Sequence, residues 1–431
     1  MALLKKMSPS RFIVLGFATV IVLGAILLLL PFAANDGVKV AIIDAFFTST
    51  SAVCVTGLLA IDTADTFTAL GQTVVALLIQ IGGLGVTSIG VGLILLARKK
   101  ISFKDRLVVK EAMSLESMKG IVNMVKSVLF VTICFESVGA ILSFIVFSKD
   151  YPPLKALGIS LFHSVASFNN AGFDVLGGFR SLISYQDNIL LNLTTCGLII
   201  FGGLGFFVIK EITHKRSFKK YNLHAKIVIL MTIALLVIGT LILKATQDIS
   251  WLGAFFFSTS ARTAGFATYD VGTTFTSAGL FAIVILMFIG ASPGSTGGGI
   301  KTTTVFTLIK SAYGMATNKH CSAFKRTIPR DVVAKAFIIT LLAVAVVCGN
   351  TFLLCILEPE YNFMQLLFEV VSAFGTVGLS TGITQHLSVL SKIVIIITMF
   401  IGRLGPLTMV SIWSFKPMSN VNYSEETIAV G

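Results

Sequence analysis

The stretch VSAFGTVGL, residues 371–379, has three counterparts elsewhere in the chain, and together the four decide the fold. The counterparts are TSAVCVTGL (50–58), VASFNNAGF (165–173) and STSARTAGF (258–266). In each, a glycine is followed by a large apolar residue and preceded, five positions earlier, by a small one. The aligned glycines are Gly57, Gly172, Gly265 and Gly378. The period of roughly a hundred residues suits a unit of two membrane spans with a hairpin between them.

Composition places these repeats in a lipid bilayer. The chain of 431 residues is 55% hydrophobic and 12% charged, whereas soluble proteins carry roughly 25% charged residues. Eight apolar segments are long enough to span a bilayer as helices. They cover residues 11–32, 71–97, 121–147, 188–209, 224–246, 276–310, 332–357 and 390–412. We therefore predict an all-α polytopic membrane protein with eight transmembrane helices.

A shorter apolar segment follows the first, third, fifth and seventh span. These segments, too short to cross a bilayer as helices, are 41–54, 155–168, 250–261 and 361–374. Each leads directly into a glycine motif, so the unit is span, pore helix, filter turn, span. Four pseudo-symmetric repeats of this unit around a central ion pore are predicted at 9–100, 119–212, 223–318 and 331–413, with a tail at 414–431.

The positions of the basic residues predict the orientation in the membrane. The net charge is +13, and lysine and arginine cluster at the N-terminus and between the repeats. The positive-inside rule then places both termini, the 414–431 tail and the inter-repeat loops in the cytoplasm, with the glycine hairpins opening outward. The charge is thus explained by topology in a cell inner membrane, and no nucleic-acid binding is predicted. The basic loops remain candidate surfaces for an anionic partner.

The four hairpins predict a cation path. Non-helical backbone at membrane depth is tolerated where it lines a watery cavity, so four such turns indicate one shared polar axis. Glycine lets the backbone approach closely, and inward carbonyls can replace the hydration shell of an ion. Residues 376–378 match the start of the potassium-channel TVGYG loop, although Leu379 and Ser380 stand where Tyr and Gly would be. The turns carry no ring of acidic side chains, which argues against a divalent cation.

A second element recurs in the spans that follow the turns. Its copies are QIGGLG (80–85), IFGGLG (200–205), FIGASPG (288–294) and FIGRLGP (400–406). The first two are interpreted as close helix packing. The third continues through Gly299 and is a poor helix former, so we expect that span to break into a loop below the filter. The loop is either a movable barrier or a static packing defect. Its residues are Ala291, Ser292, Pro293, Gly294, Ser295, Thr296, Gly297, Gly298 and Gly299.

Arg403 and Glu136 are charged residues near the centre of predicted spans. A charge at helix centre costs at least ~2.5–3.5 kcal/mol and needs a partner. We expect Arg403, in the fourth copy of the second element, to bind carbonyls of the 291–299 loop and hold the barrier shut. Glu136 could bond the end of a pore helix, but its partner cannot be read from the sequence.

Other sequence patterns argue against nucleotide binding, a metal site and catalysis. GSTGGGIKT (294–302) misses the phosphate-binding pattern, because Ile300 separates Gly299 from Lys301 and no strand precedes it. The six cysteines and five histidines form no metal-ligand spacing, and no nucleophile, base and orienting group can be assembled. We therefore expect neither an enzyme nor a covalently bound cofactor.

The motif set resembles a known superfamily. VTGL, NNAGF, RTAGF and FGTVGL, with QIGGLG and FIGRLGP, resemble the membrane subunit of bacterial Ktr-type potassium uptake systems in the Trk/Ktr/HKT superfamily. The likeness extends from about residue 9 to 413. Trk-type relatives usually carry two extra N-terminal spans, which are absent here, and this favours Ktr.

The resemblance implies sodium-stimulated potassium uptake by a homodimer, with a separate cytoplasmic ring of nucleotide-binding regulatory subunits. It also implies a gating role for residues 291–299 and Arg403. Its potassium filter carries over to Val55, Thr56, Gly57, Asn170, Ala171, Gly172, Thr263, Ala264, Gly265, Thr376, Val377 and Gly378.

Two further functions compete with a gated pore. An alternating-access cation symporter predicts inverted repeats with broken helices in matching halves. The four units predicted here share one orientation, and one span is predicted to break, which favours the pore. A structural membrane assembly factor predicts no ion flux at all.

Overall fold

The structure is a computed structural model that describes residues 9–96, 121–411 and 426. The basic stretch between the first two repeats, and the 414–431 tail apart from residue 426, lie outside the described residues.

The described helices follow one order four times: long helix, short helix, turn, broken helix. The first set is α1 (Pro9–Leu28), α2 (Ile42–Cys54), α3 (Thr63–Thr66), α4 (Ala69–Leu84) and α5 (Val86–Leu96). The second is α6 (Ile121–Phe147), α7 (Pro153–Phe168), α8 (Ile189–Leu204) and α9 (Phe206–Lys215). The third is α10 (Leu223–Thr246), α11 (Trp251–Ser260), α12 (Val271–Thr274), α13 (Ser277–Phe288) and α14 (Thr302–Ala316). The fourth is α15 (Arg330–Leu357), α16 (Phe363–Gly375), α17 (Val389–Leu404) and α18 (Pro406–Ser411).

Regular structure outside these helices is slight in the described ranges. Single 3-10 turns occur at Ile183–Tyr185, Phe218–Lys220 and Thr384–His386. A two-stranded antiparallel hairpin, β1 (Ser322–Ala323) and β2 (Arg326–Thr327), joins α14 to α15, with Ser322 opposite Thr327.

Four of the described helices, α1, α6, α10 and α15, are each long and apolar enough to cross a membrane alone. Their outer faces carry exposed apolar side chains; on α6, Phe130 is 70% exposed and Ile133 is 63% exposed. A helix with apolar residues all round fits a lipid environment, where every backbone group is bonded within the helix.

The second span of each repeat differs from the prediction. Continuous helices over 71–97, 188–209 and 390–412 were expected, and this is wrong: the helices end before Gly85, Gly205 and Gly405. These glycines have φ of 83°, 90° and 85°, in the left-handed region that stops a helix and that glycine adopts without strain. At Gly205 the two halves bend by 96°. The predicted break in the third span is confirmed, between α13 and α14. All four second spans are therefore broken, whereas the sequence predicted a break in the third repeat alone.

Each second span begins at a side-chain cap. The cap residue accepts a hydrogen bond from the backbone N–H three positions later, which satisfies a donor that the helix leaves free. The caps are Thr68, Asn188, Thr276 and Ser388. These polar residues, placed just before apolar runs, explain why the helices start there.

The four predicted short segments are confirmed as helices α2, α7, α11 and α16, within two residues at each end. They lie in the centre of the molecule, and residues 47–54 of α2 are all buried. In the first three repeats a serine of the short helix packs against a glycine of the long helix. The serine hydroxyl also donates a hydrogen bond to the carbonyl of the long-helix residue three positions before that glycine. The pairs are Ser49 with Gly24, Ser164 with Gly139, and Ser258 with Gly239. Small residues at these crossings allow close backbone approach.

The repeats interlock in a closed ring. The first half of each broken helix packs against the short helix of the next repeat: α4 on α7, α8 on α11, α13 on α16, and α17 on α2. Within their own repeats, Gly82, Gly202 and Gly402 pack so closely that a side chain would collide with a carbonyl oxygen near the end of the short helix. The interpretation of QIGGLG and IFGGLG as packing elements is confirmed.

Candidate functional site

The four motif glycines meet in a ring. A methyl group added to Gly57 would lie within 3.0 Å of Ala171 O and reach the Cα of Gly172. A methyl group added to Gly172 would likewise collide with the turn that contains Gly265. One added to Gly265 would collide with the turn of Gly378, and one added to Gly378 with the turn of Gly57. Each glycine therefore abuts the corresponding turn of the next repeat, so the four turns surround one axis. No side chain fits at these positions unless the ring moves.

Each turn contains a second left-handed residue two positions before its glycine. These residues are Val55 (φ 59°), Asn170 (φ 59°), Thr263 (φ 75°) and Thr376 (φ 50°). Such values are rare for residues with a Cβ atom, above all for the β-branched Val and Thr. The shared pattern shows that the four turns, here called the glycine turns, have one backbone conformation despite different side chains.

Hydrogen bonds from the short helices hold the glycine turns. The hydroxyl of Ser51 accepts from Gly57 N at 3.0 Å, and that of Ser372 accepts from Gly378 N at 3.1 Å. In the third repeat the Ser260 hydroxyl instead donates to Phe266 O at 2.6 Å. The first and fourth turns thus share a bond that the others lack, which makes the ring chemically asymmetric.

The residues between α13 and α14, 289–301, form a loop against one side of the ring. Its two ends pair with each other, since Gly290 N donates to Ile300 O at 2.9 Å. Its tip lies against the glycine turns: Gly298 N donates to Thr376 Oγ1 at 3.0 Å. Gly297 packs so closely on Thr263 that a side chain there would collide with it. The predicted loop residues Ala291 to Gly299 therefore include a tip that lies against the third and fourth glycine turns.

The other repeats hold the loop in place. Carbonyl oxygens of Gly203 and Gly202 accept from Ser292 N at 3.0 Å and from Thr296 N at 3.3 Å. Phe206 N donates to Gly294 O at 3.0 Å, next to the break in the second repeat. The IFGGLG element thus binds the loop as well as packing on a short helix, a role that its sequence did not reveal.

Arg403 makes the predicted contact with the loop. Its guanidinium donates to Thr296 O in the loop and also to Gly82 O and Gly83 O of the QIGGLG element, the last at 3.2 Å. One side chain of the fourth repeat therefore joins the loop of the third repeat to the break of the first. The planar guanidinium suits this bridging geometry because it carries several donors in fixed directions.

Lys301 is a loop contact that sequence reasoning missed. Its Nζ donates to Gly297 O at 2.7 Å and to Gly298 O at 3.2 Å, so it closes the loop from within. From the sequence, Lys301 was interpreted as one of the basic residues that follow the third repeat's membrane segments and mark the cytoplasmic side. Its position directly after the glycine run was the one available signal.

The partner of Glu136 is the end of the second short helix. Asn169, which caps α7, donates through Nδ2 to Glu136 Oε1 at 3.0 Å and to Gln80 Oε1 at 2.8 Å. Asn169 directly precedes the glycine turn of its repeat. Glu136 and Gln80 therefore help to position that turn from outside the ring.

A cavity of about 290 Å³ opens on the ring, and all four motif glycines line it. We call it the vestibule. Asp174 and Asp270 also line it. Burial raises the pKa of the Asp174 carboxyl to about 6; the hydrogen bond from Leu176 N opposes this rise, and the charges of Asp62 and Asp65 add to it. At neutral pH most of the Asp174 carboxyl is therefore ionised.

All predicted site residues fall in one assembly. The twelve filter positions form the glycine turns, residues 291–299 form the adjoining loop, and Arg403 binds that loop. Four helix C-termini thus end at an axial site built from backbone, with a vestibule on the ring and a loop packed against the turns.

These features define a multi-pass helical membrane protein with a backbone-lined axial site, a class that includes cation channels and transporters with selectivity filters. The chain belongs to the TrkH family, described as cation transport protein, whose profile matches residues 7–422.

Two curated relatives match over nearly their whole length. The chain is 39% identical to the potassium/sodium uptake protein NtpJ of Enterococcus hirae, with 99% of this chain and 98% of NtpJ covered. It is 36% identical to the Ktr system potassium uptake protein B of Bacillus subtilis, with 99% and 97% covered. The fold is similar to the crystal structure of the potassium transporter TrkH from Vibrio parahaemolyticus. The TM-score is 0.75 at 19% identity, over 95% of this chain and 86% of that one.

Proposed function

We propose that the protein carries potassium across the cell membrane along the axis of the glycine ring. The closed contact of Gly57, Gly172, Gly265 and Gly378 carries this proposal, because it arranges four glycine turns around one path. Backbone carbonyls in such an arrangement replace the hydration shell of potassium. The helices α2, α7, α11 and α16 end at the turns, where the helix dipole favours a cation. The names of the relatives support potassium as the ion and sodium as a second ion.

In this proposal the glycine turns select the ion and the 289–301 loop controls its passage. The loop lies against Thr263 and Thr376, so an ion leaving the ring on that side meets it. Arg403 and Lys301 keep the loop closed through the carbonyls of residues 296–298. Release of these bonds opens the path.

An alternating-access symporter is the second candidate, and the broken second spans favour it more than the sequence did. The breaks at Gly85, Gly205 and Gly405 remove the argument that one span alone is interrupted. The gated pore still accounts better for four turns in mutual contact and a loop packed against them. Current recordings in planar bilayers separate the two, since a pore conducts many ions in each opening whereas a symporter moves a fixed number in each cycle.

Cellular context follows from the same assignment. The protein acts as a transporter and not as an enzyme. It lies in the inner membrane with both termini in the cytoplasm and the vestibule facing outward, as the basic residues indicate. It works as a homodimer, stimulated by sodium and regulated by a separate cytoplasmic nucleotide-binding ring. Reaction of single introduced cysteines with an impermeant reagent tests the orientation, and the mass of the purified complex tests the dimer.

Uptake in potassium-deficient cells is the central test. Cells that express the chain should accumulate potassium from a dilute medium, and faster when sodium is added. An empty vector gives the background uptake, and the Gly378→Ser variant, compared at the membrane abundance of wild type, should show weaker preference for potassium over sodium. Expression at the membrane without uptake, even with the regulatory partner supplied, would contradict the proposal and favour a structural role.

A further inference from the structure

A layer of side chains follows the glycine ring on the vestibule side. The residue two positions after each motif glycine lines the vestibule, so the repeats contribute Leu59, Asp174, Ala267 and Ser380. Because the four glycines surround one axis, their second neighbours surround it as well. Side chains form this layer, whereas backbone forms the glycine ring. Of the four side chains in the layer, one is charged.

Asp174 is buried and yet has an unused oxygen. Its side chain belongs to a residue only 7% exposed, and its Oδ1 accepts from Leu176 N at 3.0 Å. Among the residues that the structure describes, none donates a hydrogen bond to Oδ2. A carboxylate oxygen left free beside a polar cavity is a good ligand for a hard cation. The neighbouring member Ser380 is already engaged, since its hydroxyl donates to Glu369 Oε1 at 2.6 Å.

The surrounding carboxylates have other partners. Asp62 accepts from Phe179 N at 2.7 Å, and Asp65 accepts from Gly178 N at 2.9 Å, so both hold the loop that follows Asp174. Asp270 is exposed and caps α12 through Gly272 N and Thr273 N. These charges deepen the negative potential of the vestibule, but Asp174 alone stands in the layer next to the ring.

We propose that Asp174 forms a cation-binding site in the vestibule, which holds a partly hydrated monovalent cation before it enters the glycine ring. One carboxylate is too few for tight binding of calcium, which takes six to eight oxygen ligands. The vestibule of about 290 Å³ leaves room for a cation with several waters, because each water takes roughly 30 Å³ in the liquid. The inference rests on the proposed potassium path and adds a residue that sets its affinity.

The test compares initial potassium uptake over a range of external potassium in wild type, Asp174→Asn and Asp270→Asn. Asparagine retains an oxygen for Leu176 N and removes the charge. We expect Asp174→Asn to raise the half-saturating concentration roughly tenfold, since a nearby unit charge loses its attraction. The maximal rate and the preference for potassium over sodium should persist, because the glycine ring is unaltered. Asp270→Asn should change half-saturation by less than about twofold, as for an exposed charge.

Two outcomes overturn the site: an unchanged half-saturating concentration in Asp174→Asn, or an equal rise in Asp270→Asn, which would assign the effect to the general field of the vestibule. Asp174→Glu, which restores the charge, should recover most of the affinity. Thermal unfolding of the purified proteins over a potassium series gives a second readout: stabilisation of Asp174→Asn should need more potassium than that of wild type. Absence of uptake in wild type refutes the proposed function instead, and is thereby distinguished from failure of the site.

Discussion

Val55, Asn170, Thr263 and Thr376 adopt backbone angles that cost about 1–3 kcal/mol each for residues with a Cβ atom. The surrounding structure sustains this strain, because all four residues are completely buried at the ends of the short helices. Left-handed residues two positions apart recur in every glycine turn, so the four turns orient their backbone groups in the same way. The backbone conformation of the glycine turns therefore lowers the stability of the folded chain.

Gly378→Ser tests the glycine ring. Gly378 has φ of 99°, and a side chain there would collide with Thr56 O and Gly57. We expect weaker selectivity for potassium over sodium, measured as the ratio of initial uptake rates, because the ring must widen or distort. Gly37→Ser is the matched control: its φ is 81°, and no atom of the described part of the chain lies within 4 Å of an added methyl group. Equal selectivity in both variants would remove the ring from ion selection.

Arg403→Ala tests the loop. The change removes the donors to Thr296 O, Gly82 O and Gly83 O. We expect a several-fold higher potassium flux without activation, because each lost charged hydrogen bond is worth roughly 1.5–3 kcal/mol. Arg403→Lys should give an intermediate flux, since one ammonium cannot span both sets of carbonyls. Wild-type flux and regulation in Arg403→Ala would show that this arginine does not hold a gate.

The broken second spans are the main finding at the scale of elements. In the first, second and fourth repeats, a single left-handed glycine interrupts the second span. In the third repeat the whole 289–301 loop interrupts it. The same break has two consequences. At Gly205 it meets the loop, where an added methyl group would lie 2.6 Å from Pro293 O. At Gly405 no atom of the described residues lies within 4 Å of an added methyl group.

This difference provides a matched pair of variants. Gly205→Ala and Gly405→Ala impose similar backbone strain, since their φ values are 90° and 85°. Only Gly205→Ala should displace the loop, so we expect it to raise basal flux while Gly405→Ala leaves flux near wild type. Flux is measured in proteoliposomes at equal protein content. Similar flux in the two variants would show that backbone strain, and not contact with the loop, determines the effect.

At the scale of the whole molecule, the first and fourth repeats must meet for the ring to close. Helix α17 packs on α2, and Lys392 Nζ lies 2.8 Å from Asp44 Oδ1 across this junction, with side chains 10% and 16% exposed. Asp44 also stands in the first turn of α2, where a negative charge is favourable. An ion pair this well shielded from water is coupled more strongly than a surface pair.

A double-mutant cycle measures this closure. Asp44→Asn and Lys392→Met should each lower the unfolding temperature in detergent, because each leaves a buried charge without its partner. The double variant should lose less than the sum of the single losses, with a coupling free energy of about 0.5–3 kcal/mol. Strictly additive losses would show that the pair contributes nothing to holding the two repeats together.

Much of this architecture could be predicted from local patterns. The short helices were placed within two residues, because an apolar run too short to span and ending at a motif glycine admits few alternatives. The loop after α13 was predicted because proline and glycine are poor helix formers. The breaks at Gly85, Gly205 and Gly405 were not, since one glycine in an apolar run is compatible with a continuous helix. The bonds of Lys301 were also beyond reach, because their acceptors are backbone carbonyls that no residue type marks. For Glu136 the end of a pore helix was expected as the partner, but Asn169 itself was not identified.

The sequence by itself determined the class of protein, the number of repeats and the positions that approach the axis. Hydrophobicity and glycine placement act locally, so they can be read along the chain. Only the tertiary structure decided the order of contacts in the glycine ring and the three carbonyls that Arg403 binds. It also decided that Asp174 is the one charged side chain in the layer next to the ring. Each of these depends on where backbone groups from different repeats come together, and no single segment carries that information.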